Sequence, residues 1–484
     1  VDEMCCSSNL SFGMYPGLSH GAIDLLSQHG TDEQRAYYLP KMIEGIWTGT
    51  MCLTEPQCGT DLGLIRTKAE PSADGSYAIS GTKIWITGGE HDLSDNIIHL
   101  VLAKLPDAPQ GSKGISLFVV PKFLEDGTRN DAFCGGLEHK MGIKASATCV
   151  MNFESAKGWL VGNPNEGLKC MFTMMNFERI GVGIQGLGAA VRSYQNALEY
   201  AKDRLQGRAL DSKQNGVKNP NQEADSIMVH GDVRRMLLNM KALNEGSRAL
   251  SSYISMQLDY ATYGTGEEQT KGEALAALMT PVAKAFFTDL GFENTVAGQQ
   301  VFGGHGFIRE WGQEQLVRDA RITQIYEGTN GIQAMDLLVR KVATSKGALL
   351  KVFTDEVNTY IETSKNDASM AEFITPLGEA INDLIELTDD LLVKSQTDIN
   401  ELGASANDYL HVFGYTAMAY IWARMAQVSL SQKGNNGDSG DDFYQSKLHT
   451  ARYYYTRLLP RRISLIASAK SGCDCMFDIE DELF

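Results

Sequence analysis

The stretch Tyr77-Ala-Ile-Ser-Gly-Thr-Lys-Ile-Trp-Ile-Thr-Gly-Gly89 decides how the chain is to be read. Tyr77 to Ser80 and Lys83 to Thr87 alternate in the way of half-buried strands, and Gly81 between them reads as a turn. Outward from it, Ile97 to Leu105, Ile115 to Val120 and Cys149 to Phe153 are further short β-rich runs. No helical period separates them, which predicts a compact antiparallel β-domain over residues 49–164.

On both sides of that block the period is helical. Ile23, Leu25 and Leu26, then Tyr37, Leu39, Met42 and Ile43, place helices within residues 1–48. Thr31-Asp-Glu-Gln34 has the form of a capping box, with Thr31 as N-cap and Gln34 three positions on. After residue 165, Ile184, Leu187, Val191, Tyr194, Leu198, Ala201 and Leu205 form one apolar helical stripe. Asp211 to Asn221 reads as a loop, and helical texture resumes near 223 and passes 340. A last helical region, 346–484, is interrupted at Lys433 to Asp442, which is rich in Gly, Asn and Asp. The expected fold is multidomain α+β: a helical remnant (1–48), a β-domain (49–164), a helical bundle (165–345) and a helical extension (346–484).

Composition narrows the function. The 484 residues are 43% hydrophobic and 21% charged, with 43 basic and 60 acidic residues and a net charge of −17. That balance argues against a nucleic-acid binder or a polybasic membrane-surface protein, and leaves room for an anionic ligand held by local cations. Nine cysteines, an odd number with no CxxC, predict free thiols and a cytoplasmic setting. Cys473-Asp-Cys475 has no histidine-rich partner nearby, so no metal site is expected. No apolar run approaches ~18 residues, so no membrane insertion is expected. The chain starts at Val1 rather than Met, as expected of one that lacks its natural N-terminus.

Four motifs are candidates for chemistry. In Met51-Cys-Leu-Thr-Glu-Pro-Gln-Cys-Gly-Thr-Asp61, Thr54 offers a hydroxyl, Pro56 stiffens the loop, and Gly59 and Thr60 suit close approach of a pyrophosphate. A capped turn entering the β-domain would explain the same residues. Trp85 and Thr87 share a strand face, which suits a planar aromatic ligand with polar edges; a buried strand tryptophan is the plainer alternative. In Gln300-Val-Phe-Gly-Gly-His-Gly-Phe307, followed by Arg318 to Thr329, Glu327 beside Gly328 could sit desolvated as a base, or merely favour a helix dipole. Gly181-Val-Gly-Ile-Gln-Gly186 fits GxGxxG literally, but no strand precedes it. Its glycines read as close helix packing rather than a dinucleotide fingerprint.

The order of these motifs over residues 1–345 resembles that of the acyl-CoA dehydrogenase family. The resemblance implies FAD-dependent α,β-dehydrogenation of an acyl-CoA thioester, with Glu327 as catalytic base and Tyr326 lining the acyl pocket. It implies that Leu53, Thr54, Trp85, Thr87 and Thr329 contact the isoalloxazine, and that Gly59 and Thr60 lie near the pyrophosphate. Arg204 and Gln300 to Gly304, with Gly303 and Gly304 among them, would hold the FAD diphosphate and adenosine from a neighbouring subunit. Asn176 and Arg179 would lie near the thioester. An electron-transferring flavoprotein as acceptor and a homodimer or homotetramer are implied too.

Several positions depart from the family pattern. Cys58 replaces a small residue, Arg204-Leu-Gln-Gly-Arg208 lacks a Phe before Gly207, Gly331 replaces a Gln, and Gln315 replaces a basic residue. Glu178 is acidic at the position from which a minority of members supply their base. The extension resembles a bacterial subgroup whose substrate would be 3-methylmercaptopropionyl-CoA, from dimethylsulfoniopropionate breakdown. Rival expectations are a general fatty acyl-CoA dehydrogenase of β-oxidation, an oxygen-using flavin oxidase, and a non-catalytic nucleic-acid-binding relative.

Overall fold

Three helices open the chain, α1 (Asp2–Ser8), α2 (Leu10–His29) and α3 (Asp32–Ile43), and the capping box at the third is formed as expected. The Gln34 amide donates to Thr31 Oγ1 at 3.2 Å while the Thr31 amide donates to Gln34 Oε1 at 3.0 Å. The structure is a computed structural model and describes residues 1–216, 220–432 and 437–484. These divide into two units, Val1–Gly181 and Val182–Phe484.

In the first unit seven strands follow: β1 (Trp47–Cys52), β2 (Lys68–Pro71), β3 (Tyr77–Thr87), β4 (Asn96–Lys104), β5 (Ile115–Pro121), β6 (Ala132–Leu137) and β7 (Thr148–Val161). Pairing runs β4–β2–β3–β7–β5 and closes from β5 back to β4, with β1 on β4 and β6 on β7. Closure leaves few free edges. Most pairs are antiparallel, but β1 runs parallel to β4, Trp47 opposite Asn96 through Cys52 opposite Val101, and β2 also meets β4 in parallel at Lys68 opposite Lys104. The expected antiparallel β-domain is present, with parallel pairing confined to β4. β1, β2 and β6 carry too little alternation to be seen in the sequence.

β4 is buried from Asn96 to Ala103 and mostly apolar because both of its faces are covered. Ile98, Leu100 and Leu102 pack with Leu18, Ala22, Leu25 and Leu26 of α2, while Val101 and Ala103 join Ile79, Phe118 and Met151 in a second core. Gly81 is not a turn. β3 continues through it, and a Cβ there would lie 2.4 Å from Thr67 Oγ1, so glycine admits a neighbouring strand end rather than a reversal.

In the second unit the long helices dominate. α4 (Gly167–Asp203) starts before its boundary; α5 (Ser212–Asn215), α6 (Gly231–Tyr263), α7 (Gly266–Val301), α8 (Gln313–Arg321) and α9 (Asn330–Met335) follow. The extension holds α10 (Ala348–Ser364), α11 (Ala371–Lys394), α12 (Asn400–Gln432), α13 (Gly437–Tyr453), α14 (Arg461–Ala469) and α15 (Asp474–Phe477). α7 is long and apolar enough to cross a membrane by length and composition alone, and 83% of its apolar window is buried within the protein.

Three local expectations change. α4 ends at Asp203, so Leu205 leaves the apolar stripe and bridges Ser226 with 38% of its surface exposed. The loop Asp211 to Asn221 contains the single turn α5, and residues 217–219 lie outside the described residues. Of the interruption Lys433 to Asp442, residues 433–436 lie outside the described residues and the rest begins α13.

Two of the three GxGxxG glycines, Gly183 and Gly186, admit a neighbouring helix, while a Cβ at Gly181 would meet nothing within 4 Å. A Cβ at Gly183 would lie 2.6 Å from the Ala283 carbonyl oxygen, and one at Gly186 would lie 2.9 Å from Thr288 Cα. The extension docks on α7 by the same device, because a Cβ at Gly414 would lie 2.5 Å from the Phe286 ring. Gly414→Ala should therefore cost ~1–3 kcal/mol, read as a lower unfolding midpoint. Gly403→Ala, on the same helix but facing open space, should be neutral or slightly stabilising in that measurement.

Candidate active site

The first cluster is built by the loop after β1 and the end of β3. Glu55-Pro-Gln-Cys58 is a tight turn closed by two hydrogen bonds, Glu55 N–H to Cys58 O and Cys58 N–H to Glu55 O, each 3.0 Å. Cys58 is buried beneath it. The loop lies along β3: the Ile84 amide donates to the Thr54 carbonyl at 2.9 Å, and Lys83 Nζ donates to the Leu53 carbonyl at 2.9 Å. Leu53, Thr54, Trp85 and Thr87 are thereby brought together.

The bond that locks this arrangement is a buried ion pair the sequence reading did not single out. Lys83 Nζ lies 2.8 Å from Glu55 Oε1, with side-chain exposures of 0% and 3%. Glu55 also accepts from the Arg66 and Thr67 amides and from Thr67 Oγ1. Burial opposes its ionisation, but Lys83 and these donors outweigh that and hold its carboxyl at about 2. The only sequence signal for the pair was an acid and a base within two adjacent motifs.

Trp85 sits in a β-bulge. Lys83 pairs with Met151 and Ile86 with Cys149, so Ile84 and Trp85 together oppose one residue of β7. Unbroken alternation from Ile79 and Lys83 would have turned Trp85 into the core; the bulge shifts the phase by one and buries Ile86 instead. Trp85 keeps 61% of its surface exposed on a left-handed backbone, φ 62°. A buried strand tryptophan is thus excluded. An exposed indole held in a costly conformation points to a ligand face.

Gly59 and Thr60 lie exposed past the turn, and a Cβ at Gly59 would meet nothing within 4 Å. Nothing in the protein itself requires glycine there. Still in the first unit, Asn176 is exposed on α4 and accepts from Arg179 Nη1 at 3.4 Å, and the Arg179 guanidinium lies over the Phe172 ring. Glu178, 6% exposed, is turned against α2: its Oε1 lies 3.1 Å from where a Cβ on Gly21 would stand.

The second unit brings together two further groups. At the ends of α4 and α7, Tyr200 stacks on Phe302 with ring centres 4.2 Å apart and bonds His305 Nδ1 at 3.0 Å. Arg204 follows the end of α4, and Gln300, Gly303 and Gly304 lie at or just past the end of α7; all four are exposed. Gly303 has φ 57°, which favours glycine; Gly304 has no such need, and a Cβ there would meet open space. Exposed cationic, amide and glycine groups of this kind suit a phosphate-bearing ligand.

Tyr326, Glu327 and Thr329 lie on the loop between α8 and α9. Glu327 and Gly328 are both left-handed, φ 55° and 84°. The Glu327 carbonyl accepts from Gln333 Nε2 at 3.1 Å, the Tyr326 hydroxyl donates to Gln185, and Thr329 is the exposed N-cap position of α9. A non-glycine residue in that conformation, half-exposed and backed by a side-chain amide, is a turn built to present one carboxylate.

No candidate residue lines the cavity of about 620 Å³ bordered by Tyr253, Glu356, Tyr420 and Arg424. Among the described residues no group of three or more His, Cys, Asp or Glu is placed to hold a metal ion. Cys473 Sγ donates to Asp398 at 3.4 Å.

An exposed indole, open glycines beside cationic and amide groups, and a presented carboxylate suit a flavin-dependent enzyme. Comparison with known families agrees: residues 50–156 match the acyl-CoA dehydrogenase middle domain, 165–218 and 207–342 its C-terminal domain, and 353–480 the "Acetyl-CoA dehydrogenase C-terminal like" family. The chain belongs to the acyl-CoA dehydrogenase family and is an FAD-dependent oxidoreductase. It is 45% identical over 463 residues to the 3-methylmercaptopropionyl-CoA dehydrogenase of Ruegeria pomeroyi, covering 94% of this chain and 77% of that one. A butyryl-CoA dehydrogenase of Syntrophomonas wolfei is 34% identical over 503 residues, covering 100% of this chain and 80% of that one. In fold it is similar to Caenorhabditis elegans ACDH-11, solved with C11-CoA, at a TM-score of 0.77 and 21% identity over 96% of this chain and 75% of that one.

The residues present fit FAD. The exposed indole of Trp85 suits the isoalloxazine, and the exposed Arg204 guanidinium and the open Gly303 and Gly304 suit the diphosphate.

Proposed function

We propose that the chain oxidises 3-methylmercaptopropionyl-CoA to its 2-enoyl-CoA product in dimethylsulfoniopropionate breakdown, with Glu327 as the base. The observation that carries the reaction is the left-handed turn presenting Glu327; likeness to the R. pomeroyi enzyme supports the substrate. FAD, when bound, supplies the acceptor for the β-hydrogen as hydride. The Glu327 carboxylate takes the α-proton, so the substrate loses one proton and one hydride. Because the α-carbon is a weak acid, the Glu327 main-chain N–H donates to the thioester oxygen as charge develops there.

Leu53, Thr54, Trp85, Thr87 and Thr329 hold the isoalloxazine, and Gly59 and Thr60 approach the pyrophosphate. Arg204, Gln300, Gly303 and Gly304 hold the diphosphate and adenosine of a neighbouring copy's FAD, which requires a homodimer or homotetramer. Tyr326, Asn176 and Arg179 line the substrate. Electrons pass to an electron-transferring flavoprotein in the cytoplasm. The segments 1–48, 49–164, 165–345 and 346–484 act as N-terminal helical segment, β-domain, dehydrogenase bundle and extension.

Turnover with an electron-transferring flavoprotein tests the substrate. The value of kcat/KM for 3-methylmercaptopropionyl-CoA should exceed that for its sulfur-free isostere pentanoyl-CoA and that for palmitoyl-CoA. A maximum at long straight chains would instead make the protein a general enzyme of β-oxidation, and a maximum at butyryl-CoA would align it with the S. wolfei relative.

Trp85 offers a separate check on the cofactor. Glycine accepts φ 62° without strain, so Trp85→Gly should leave the unfolding midpoint of the FAD-free protein unchanged or higher. FAD retention on dilution should fall by ~10-fold for loss of the ring contact.

A further inference from the structure

The loop that carries Glu327 is pinned at both ends by one carboxylate of α7. Asp289 Oδ1 accepts from Gln324 Nε2 at 2.7 Å and from Asn330 Nδ2 at 2.7 Å. Gln324 stands three residues before Glu327 and Asn330 three residues after it. Asn330 is fixed again from its other side, where its Oδ1 accepts from the fully buried Lys284 Nζ at 2.8 Å. The second oxygen of Asp289 accepts from His411 Nε2 at 2.9 Å. His411 belongs to α12, and its ring packs edge-on against Phe286, the side chain that Gly414 admits one turn further along.

We propose that Asp289 is the positioning residue for Glu327, and that through His411 the extension takes part in presenting the base. The turn needs such bracing because two successive left-handed residues store of order 1–3 kcal/mol each where a side chain is present. A loop free to relax that strain would swing the carboxylate, and a displacement of about 1 Å costs ~10²-fold in rate. Three donors on one carboxylate are charge-assisted bonds, the strong kind. Burial raises the Asp289 carboxyl, but the bond from His411 and those from Gln324 and Asn330 hold it below its ordinary value, so it remains an acceptor for all three. The extension is thus more than a cover for α7.

The proposal rests on Glu327 as base, and the test separates the two. Acetyl-CoA has α-hydrogens but no β-carbon, so the holoenzyme can exchange its methyl hydrogens with D2O without dehydrogenating it. Asp289→Asn should slow that exchange, and flavin reduction by an oxidisable acyl-CoA, by ~10- to 100-fold. FAD content and the Kd for acyl-CoA should stay near those of the wild type. His411→Phe, which keeps the ring packing and loses the donor, should show a smaller drop in the same direction.

In a Glu327→Gln background, Asp289→Asn should lower the residual reduction rate by no more than ~2-fold, because a brace has nothing left to position. Should Asp289→Asn fail to fold, Gln324→Leu and His411→Phe carry the same comparison. Wild-type exchange in Glu327→Gln overturns the base itself. Loss in Glu327→Gln with wild-type exchange in the Asp289, Gln324 and His411 variants overturns this proposal alone. An equal drop with and without Glu327 assigns Asp289 a merely structural role and overturns it too.

Discussion

Glu327→Gln lowers the rate of flavin reduction by acyl-CoA by ~10²-fold or more, while FAD and acyl-CoA still bind, because an amide cannot take the α-proton. Single-turnover reduction under anaerobic conditions reads this directly. The competing carboxylate, Glu178, is 6% exposed and turned toward α2, with room for it left by Gly17 and Gly21. Glu178→Gln should therefore leave reduction near the wild-type rate. Near-normal reduction in Glu327→Gln with collapse in Glu178→Gln would move the base to Glu178.

Lys83→Met has the largest expected effect on stability. It leaves Glu55 charged and 3% exposed without its cation, and breaking a buried pair from one side costs ~3–5 kcal/mol. The same change frees the Leu53 carbonyl from its donor, so FAD should be lost along with stability. Chemical denaturation with flavin release followed in parallel measures both. A pH dependence goes with it. Glu55 titrates at about 2 in the fold against an ordinary value of 4.5, so its contribution is complete above 4.5 and fades as the pH falls toward 2. Wild-type stability should decline over that window more steeply than that of Lys83→Met. Equal acid sensitivity in the two proteins would contradict the role given to the pair.

The helical and β textures were legible in the sequence because burial on one face leaves a period: the stripe through Ile184, Leu187 and Val191, and the box at Thr31 and Gln34. β4 kept its strand signature through composition, although covering both faces erased its alternation. Gly81 misled because a glycine that admits Thr67 looks like one that makes a turn. Around the site, Trp85 and Glu327 could be named from their motifs, but the features that make them exceptional are conformational. The bulge is set by partners far along the chain, Met151 and Cys149, and the left-handed Glu327 is held by contacts that no motif announces, such as that from Gln333 Nε2 to its carbonyl. The Glu55–Lys83 pair, Asp289 and His411 were unreadable for the same reason. Their meaning comes from contacts across 28 positions in the pair and 122 between Asp289 and His411.

The most direct test of the account is anaerobic mixing of the FAD-loaded protein with 3-methylmercaptopropionyl-CoA, with flavin absorbance followed and the product weighed by mass spectrometry. The account predicts bleaching of the flavin, a product lighter by one H2, and loss of both in Glu327→Gln. A flavin that stays oxidised with every acyl-CoA offered would contradict it.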